Sequence, residues 1–285
     1  MSPAAAIVTR FAPSPTGGLH LGHAYAALFA ERAARAVGGR FLLRIEDIDR
    51  TRVRAAFEDA IFEDLAWLGL AWETPVRRQS EHMADYGAAL ARLEAMHLVY
   101  PCFCTRAEIA REIASAAAAP HGSTMRLYPG TCRRLSPDER NARRAAGERY
   151  ALRLDVAAAV ARAGTLCWYD RGRGKMRVEA ERHGDVVLAR KELGTSYHLA
   201  VTVDDALQGV TLVTRGEDLL AATDVHRLLQ ALLGLAVPDY HHHPLLFDQH
   251  GQRLAKRAGA ATLAALRAAG VSAGEVRARA GFPDA

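Results

Sequence analysis

The sequence predicts an α/β protein with a parallel sheet, an inserted domain of mixed α and β structure and a short helical segment at its carboxyl end. Its 285 residues correspond to about two domains of ordinary size. A strand, a helix and a second strand follow one another within the first 47 residues, and such units form parallel sheets. From about residue 100 the chain becomes richer in cysteine and arginine, which indicates the insertion.

The strand–helix–strand unit predicts a ligand crevice near the amino terminus. Ile7–Phe11 is a short apolar strand, Ala24–Val37 has helical spacing and is followed by a Gly-Gly pair, and Arg40–Asp47 is a second apolar strand. Residues 12–18 hold the prolines and glycines of a turn. Because ligands of parallel sheets bind where the strands end, we expect functional residues in this turn and just after Arg40–Asp47.

Further helices and strands follow along the chain. The predicted elements are helices at 51–68, 80–96 and 223–233, strands at Tyr197–Val203 and Val210–Thr214, and two short helices after Leu263, separated by Gly270. Thr51, Ser80 and Thr223 are the expected N-cap residues of the three longer helices.

The charge of the chain is concentrated in one segment. The net charge is +5, but residues 126–182 carry +7 and the remainder −2. Such a segment is either a solvated basic face or the contact surface for a polyanion. Four cysteines are too few for a disulfide scaffold, and no apolar run approaches the ~18–20 residues of a membrane span. We therefore expect a cytoplasmic protein without membrane contact.

The turn from Arg10 to His23 is a candidate nucleotide loop. His20 and His23 lie one helical turn apart at a predicted helix N-terminus, where unpaired backbone N–H groups attract anions. Gly22 leaves room for a flat base to approach the backbone. The loop is not a P-loop, because no Gly-Lys-Ser/Thr follows its glycines.

These residues resemble the HIGH signature of class I aminoacyl-tRNA synthetases, specifically the glutamyl branch, with its Rossmann-type catalytic sheet. The resemblance implies that Thr16, His20, Gly22 and His23 contact ATP, with the histidines as catalytic groups and Mg²⁺ on the ATP phosphates. No protein nucleophile is needed, since alignment and charge stabilisation at the α-phosphorus supply the catalysis.

A second basic loop completes the resemblance. Arg253–Arg257 is similar to the family's KMSKS loop, which places Lys256 where a lysine neutralises the leaving pyrophosphate. Lys256 is therefore an expected catalytic and ATP-binding residue. The sequence departs from the family pattern at Ala255 and Arg257, where the family more often has serine or another polar residue.

Four charged or polar residues form a candidate amino-acid pocket: Arg10, Glu46, Tyr197 and Arg215. All lie at predicted strand ends; arginine suits a carboxylate and glutamate suits an ammonium group. The resemblance implies that Glu46 binds the α-ammonium of L-glutamate and that the other three surround its side-chain carboxylate. A buried Arg215 would reject the neutral amide of glutamine. The same resemblance assigns further glutamate contacts to Phe11, Ala12, Pro13 and Ser14.

Three clustered cysteines indicate a zinc site. Cys102, Cys104 and Cys132 lie within 31 residues, a grouping that favours zinc over redox chemistry. Three thiolates leave one tetrahedral position, for which general zinc chemistry favours His121, whereas the resemblance implies Tyr128. The Zn²⁺ would be structural, because a closed site offers no position for a substrate. The long stretch between Cys104 and Tyr128 predicts an extra helical excursion.

The resemblance also implies a division of the chain. Residues 1–98 and 194–285 would form the two halves of the catalytic domain, and 99–193 the inserted, zinc-containing, basic RNA-binding domain. Only 28 residues follow Arg257, so we expect no anticodon-binding domain and a monomer.

This truncated pattern resembles the branch of the family that activates glutamate without tRNA and transfers it to queuosine at the wobble position of tRNA(Asp). Two alternatives remain at this point: a minimal synthetase that charges the 3′ end of tRNA(Glu), and a non-catalytic RNA-binding paralogue.

Overall fold

The computed structural model describes residues 6–117, 127–247 and 261–283. Its strands are β1 Val8–Phe11, β2 Arg40–Ile45, β3 Glu73–Arg78, β4 Val99–Cys102, β5 Ala151–Leu154, β6 Cys167–Asp170, β7 Gly174–Arg177, β8 Val187–Ala189, β9 Leu212–Gly216 and β10 Asp239–His243. Its helices are α1 Leu21–Arg35, α2 Ala55–Trp67, α3 Met83–Ala95, α4 Arg106–Ala117, α5 Pro137–Ala145, α6 Val156–Ala163, α7 Tyr197–Leu207, α8 Ala222–Leu233, α9 Leu263–Ala268 and α10 Ala273–Arg279.

The predicted parallel α/β architecture is confirmed. Strands β1, β2 and β3 pair in parallel, as do β9, β10 and β6, while β7 adds an antiparallel edge. The two sheets meet where Thr211 N donates to Val8 O at 3.0 Å. The carboxyl ends of β1, β2 and β9 therefore lie near one another, and this edge carries the site.

Helix α1 confirms the first predicted helix and begins slightly earlier than expected. Its apolar face, including Ala24, Ala27 and Leu28, is buried against the sheet. The chain leaves the helix through Gly38, whose φ of +64° favours glycine. At Gly39 a Cβ would lie 2.2 Å from Ile7 O. Only glycine therefore allows the chain between α1 and β2 to pass this close to the residue before β1.

The strand predicted at Tyr197–Val203 is wrong, because this segment begins helix α7. The side chains from Leu199 to Asp205 are all buried, so the middle of the helix has no exposed side whose spacing would reveal a period of 3.6 residues. The apolar residues Leu199, Val201 and Val203 alternate along the sequence, and this alternation led to the prediction of a strand. Tyr197 is the first residue of a helix and not the end of a strand.

The expected caps Thr51 and Ser80 are also wrong. Helix α2 begins at Ala55 and α3 at Met83. The hydroxyl of Thr51 donates to Asp49 at 2.7 Å, and that of Ser80 donates to Asp47 at 2.5 Å. Both hydroxyls bind loop carboxylates, which compete with backbone N–H groups for short polar side chains.

Helix α8 confirms the predicted helix at 223–233, but Thr223 does not cap it. Thr223 lies inside the helix, after Ala222, and its hydroxyl accepts from Arg215. The two short helices of the tail are confirmed as α9 and α10, capped by Thr262 and Ser272. None of the helices in the described ranges is long and apolar enough to cross a bilayer.

The segment 99–193 contributes to two sheets. Strands β4, β5 and β8 form a small antiparallel sheet beside the cysteines, and α4 begins the predicted excursion. Strands β6 and β7 instead extend the sheet of β9 and β10. One apolar core also joins α3, α6 and α8 across both predicted boundaries. The division of the chain into a catalytic domain and an inserted domain, with boundaries at residues 98 and 193, therefore stays a prediction.

Candidate active site

A cavity of about 280 Å³ lies between the carboxyl ends of β1 and β9 and the N-terminus of α1. We call it the central cavity. The structure brings together there most of the predicted site residues of the described segments: Arg10, Phe11, Ala12, His20, Gly22, His23, Glu46, Tyr197 and Arg215. Pro13, Ser14 and Thr16 lie in the adjoining turn and do not line the cavity; Pro13 O accepts from Glu46 N at 3.0 Å and Ser14 O from Thr16 N at 2.8 Å.

His20 and His23 form a reciprocal cap at the start of α1. The Nδ1 of His20 accepts from Gly22 N at 3.1 Å, and the Nδ1 of His23 accepts from His20 N at 3.2 Å. The ring centroids are 3.9 Å apart. Because both Nδ1 atoms accept backbone N–H groups, each neutral ring carries its proton on Nε2. Two N–H donors therefore stand beside a helix N-terminus, an arrangement suited to phosphate.

Arg10 is held by an acid that the sequence analysis missed. Its Nε and Nη2 donate to the two carboxylate oxygens of Asp205 at 2.9 and 3.2 Å. The buried Arg44 donates to the same carboxylate at 2.7 Å. Burial opposes ionisation, but Arg10 and Arg44 hold the pKa of Asp205 at about 2. The charge of Arg10 is thus already balanced by a carboxylate.

Glu46 follows β2 and faces the same network. Its Oε1 accepts from Arg44 Nη2 at 3.2 Å. Burial raises the pKa of Glu46, and the nearby charges of Arg44 and Arg10 oppose that rise. A cationic ligand group beside Glu46 would favour the ionised carboxylate in the same way.

Arg215 has a different environment from Arg10. It is 7% exposed, and it bonds to Thr223, His226 and His242. No carboxylate in the described ranges forms an ion pair with it. Burial also raises the pKa of Tyr197, so its phenol stays protonated and can donate a hydrogen bond. None of these three partners of Arg215 was predicted from the sequence.

The predicted zinc ligands of the described segments converge. The sulfur atoms of Cys102, Cys104 and Cys132 all lie within 4.8 Å of one another. The Tyr128 hydroxyl lies 3.4 Å from Cys102 Sγ and 3.6 Å from Cys104 Sγ. Ligand atoms around a tetrahedral zinc are about 3.5–3.8 Å apart, so these four residues fit a Zn²⁺ ion. The alternative ligand, His121, lies outside the described residues.

Lys256 and the rest of the predicted loop at Arg253–Arg257 also lie outside the described residues. Beyond this segment, Thr262 forms a backbone bridge with His20, and Leu263 N donates to Leu19 O at 2.8 Å. The chain that follows the loop is thus anchored beside the histidine pair.

Paired histidines at the N-terminus of α1, which follows the first strand of a parallel sheet, agree with the class I aminoacyl-tRNA synthetase signature that the sequence resembles. The comparison with family models agrees, and the chain belongs to the family described as tRNA synthetases class I (E and Q), catalytic domain, whose model matches residues 6–272.

Two curated relatives are named glutamyl-Q tRNA(Asp) synthetase. The protein from Rhodobacter capsulatus is 50% identical, and the alignment covers 95% of this chain and 98% of the relative. The protein from Symbiobacterium thermophilum is 47% identical over 92% of this chain and 82% of the relative.

A solved relative has a similar fold. The glutamate tRNA ligase from Elizabethkingia meningosepticum, crystallised with its amino acid, matches with a TM-score of 0.75 and 29% identity over 89% of this chain. The match covers 52% of that structure, so this chain spans about half of its length.

Proposed function

We propose that this protein activates L-glutamate with ATP, without needing tRNA, and transfers the glutamyl group to the queuosine base at the wobble position of tRNA(Asp). The observation that carries the activation step is the central cavity, which combines two arginines, a carboxylate and a phosphate-binding histidine pair. Relatives named glutamyl-Q tRNA(Asp) synthetase at 42–50% identity support the choice of acceptor.

In the activation step, Arg10, Tyr197 and Arg215 surround the side-chain carboxylate of glutamate, and Glu46 binds its ammonium group. An oxygen of the α-carboxylate then attacks the α-phosphorus of ATP, and pyrophosphate leaves. His20 and His23 donate to the phosphates, and Lys256 neutralises the leaving group. The Mg²⁺ bound to ATP supplies further charge neutralisation at the phosphates.

The Cys102, Cys104, Tyr128 and Cys132 cluster would hold a structural Zn²⁺. Its donor set is closed, so it offers no position for a substrate. The cluster lies against the small antiparallel sheet, since Cys102 ends β4, and it would fix the segment that carries Tyr128 and Cys132 to that sheet.

A second cavity supports an approach for RNA. It measures about 490 Å³ and shares Tyr197 with the central cavity. Arg190 lines it and forms no ion pair within the described ranges. Arg153 also lines it, but its guanidinium donates to Asp185 O at 2.7 Å and stacks on Tyr128. An arginine without an ion pair suits an RNA phosphate, and this position of Arg190 would bring the acceptor nucleotide beside the activated glutamate.

The test uses the purified protein, radiolabelled glutamate and ATP. We expect glutamate-dependent ATP–pyrophosphate exchange without tRNA, and labelling of tRNA(Asp) that contains queuosine but not of tRNA(Asp) that lacks it. Labelling of tRNA(Glu) instead would establish the minimal synthetase. Absence of both exchange and labelling would establish a non-catalytic paralogue.

A further inference from the structure

Arg215, on β9, lies at the centre of a hydrogen-bonded array that connects it to four other elements of the fold. Its Nε donates to His242 Nε2 on β10, and its Nη1 bonds to His226 Nδ1 on α8, both at 3.1 Å. The array continues from His242 Nδ1 to Asp170 Oδ2 on β6 at 2.6 Å, and from His226 Nε2 to His198 Nδ1 on α7 at 3.1 Å.

The position of each proton in this array follows from Arg215. A guanidinium group only donates, so His242 Nε2 and His226 Nδ1 must both be unprotonated acceptors. The proton of His242 is therefore on Nδ1 and is donated to Asp170. The proton of His226 is on Nε2 and is donated to His198, which leaves the proton of His198 on its own Nε2.

All three rings are consequently neutral. Burial, reinforced by the charge of Arg215, lowers the pKa of His242 to about 4 and that of His226 well below its ordinary value. Burial likewise lowers the pKa of His198 to about 4. The contact between His242 and Asp170 is thus a hydrogen bond to a carboxylate and not an ion pair at neutral pH.

The array orients Arg215 without balancing its charge directly. Three of the five N–H groups of Arg215 are used, by His242, His226 and Thr223. One N–H group remains on Nη1 and one on Nη2. These two N–H groups can donate to the two oxygens of a single carboxylate. Arg10, by contrast, gives two N–H groups to Asp205.

We propose that Asp170, His242, His226 and His198 are positioning residues for glutamate binding, which hold the Arg215 guanidinium in place and leave its charge and two N–H groups for the side-chain carboxylate. This inference rests on the proposed function, because it takes glutamate as the ligand of the central cavity. The array makes Arg215 the main determinant of selection against glutamine.

A matched pair of substitutions at His226 tests the array. His226→Leu removes both hydrogen bonds, whereas His226→Gln keeps an oxygen that accepts from Arg215 and an N–H group that donates to His198.

In pyrophosphate exchange, we expect His226→Leu to raise the KM for glutamate about tenfold or more, the effect of one hydrogen bond to a charged group. Its kcat and its KM for ATP should change less than about twofold, and its preference for glutamate over glutamine should fall. His226→Gln should restore the KM to within about threefold of the parent value. His241→Gln, beside His242 on β10 but outside the array, is the control and should be neutral.

The second measurement reads the ring protons of the parent protein directly. Long-range ¹H–¹⁵N spectra of the histidine rings should show His242 protonated at Nδ1, and His226 and His198 protonated at Nε2, with the resonances assigned from single histidine variants. Protonation of His226 at Nδ1 would overturn the proposal. An unchanged KM for glutamate in His226→Leu, or equal losses in glutamate KM, ATP KM and kcat in both His226 variants, would also overturn it. Lack of exchange by the parent protein would instead refute the proposed function, and the ring tautomers would still decide the array.

Discussion

Glu46→Gln is expected to weaken glutamate binding while leaving the surrounding network intact. The amide oxygen of glutamine can still accept from Arg44, which Glu46 does now at 3.2 Å. Arg44 also keeps its 2.7 Å bond to Asp205. The substitution therefore removes one negative charge, and it does so at the position assigned to the α-ammonium of the substrate.

The size of the effect follows from that contact. A hydrogen bond between charged groups contributes about 1.5–3 kcal/mol, so the KM for glutamate should rise about 10- to 150-fold. Because burial raises the pKa of Glu46, the parent protein should lose part of this advantage at acidic pH as the carboxylate becomes protonated. The variant should show no such additional loss from position 46.

Pyrophosphate exchange measures the KM, and glutarate provides the control ligand. Glutarate has both carboxylates of glutamate but no ammonium group, so its inhibition constant should be nearly the same for the parent and the variant. Glu73→Gln, which alters an exposed ion pair with Arg40, should leave exchange unchanged. If glutarate and glutamate lost affinity by the same factor, Glu46 would not bind the ammonium group, and the assignment would be refuted.

Three further substitutions test other parts of the account. Arg190→Gln should slow transfer to tRNA about tenfold and reduce its salt dependence, with pyrophosphate exchange unchanged; Arg35→Gln is the control, and equal transfer rates would exclude the second cavity as an RNA contact. Tyr128→Phe should weaken zinc binding at least about tenfold in a chelator competition, and an unchanged affinity would remove Tyr128 from the ligand set. Asp64→Asn should stabilise the protein by up to about 3 kcal/mol at pH 8 but not at pH 4. Burial raises the pKa of Asp64 from 3.8 to about 6, so the folded state loses stability as the pH rises through this interval. Equal urea midpoints for Asp64→Asn and the parent protein at pH 8 would contradict this.

Local patterns in the sequence predicted the parts of the site that are built locally. His20 and His23 are three residues apart on one helix start, and the structure gives them the expected proximity. The cysteines belong to short motifs that converge around Tyr128. The histidine prediction needed only the geometry of a helix turn, and the cysteine cluster needed only the chemistry of metal ligation. Tyr128 was expected there from the family resemblance alone, since zinc chemistry by itself favoured His121.

Contacts between distant segments could not be predicted in this way. Arg10 and Asp205 are 195 residues apart, and no spacing rule connects them. The adjacent acids Asp204 and Asp205 could have indicated a buried partner for Arg10, but the start of α7 was predicted to be a strand, which gave these acids no position in the site. The middle of α7 is buried on all sides, so its sequence shows no alternation of polar and apolar faces with a period of 3.6 residues, and the positions of its acids could not be predicted.

The histidines around Arg215 were missed for a related reason. His198, His226 and His242 come from three elements, and singly each is an ordinary buried or half-buried histidine. Their role depends on hydrogen-bond direction, which the sequence does not contain. Hydroxyl side chains such as Thr223 were assigned to helix caps, although the buried guanidinium of Arg215 is the stronger partner.

The central claim is that glutamate is transferred to queuosine and not to the 3′ end of a tRNA. The most direct measurement compares intact queuosine-containing tRNA(Asp) with the same tRNA from which the terminal adenosine has been removed, using labelled glutamate and ATP. We predict equal labelling of the two, with the label recovered on the queuosine nucleoside after nuclease digestion. Loss of labelling together with the terminal adenosine, or labelling of intact tRNA(Glu) alone, would contradict it.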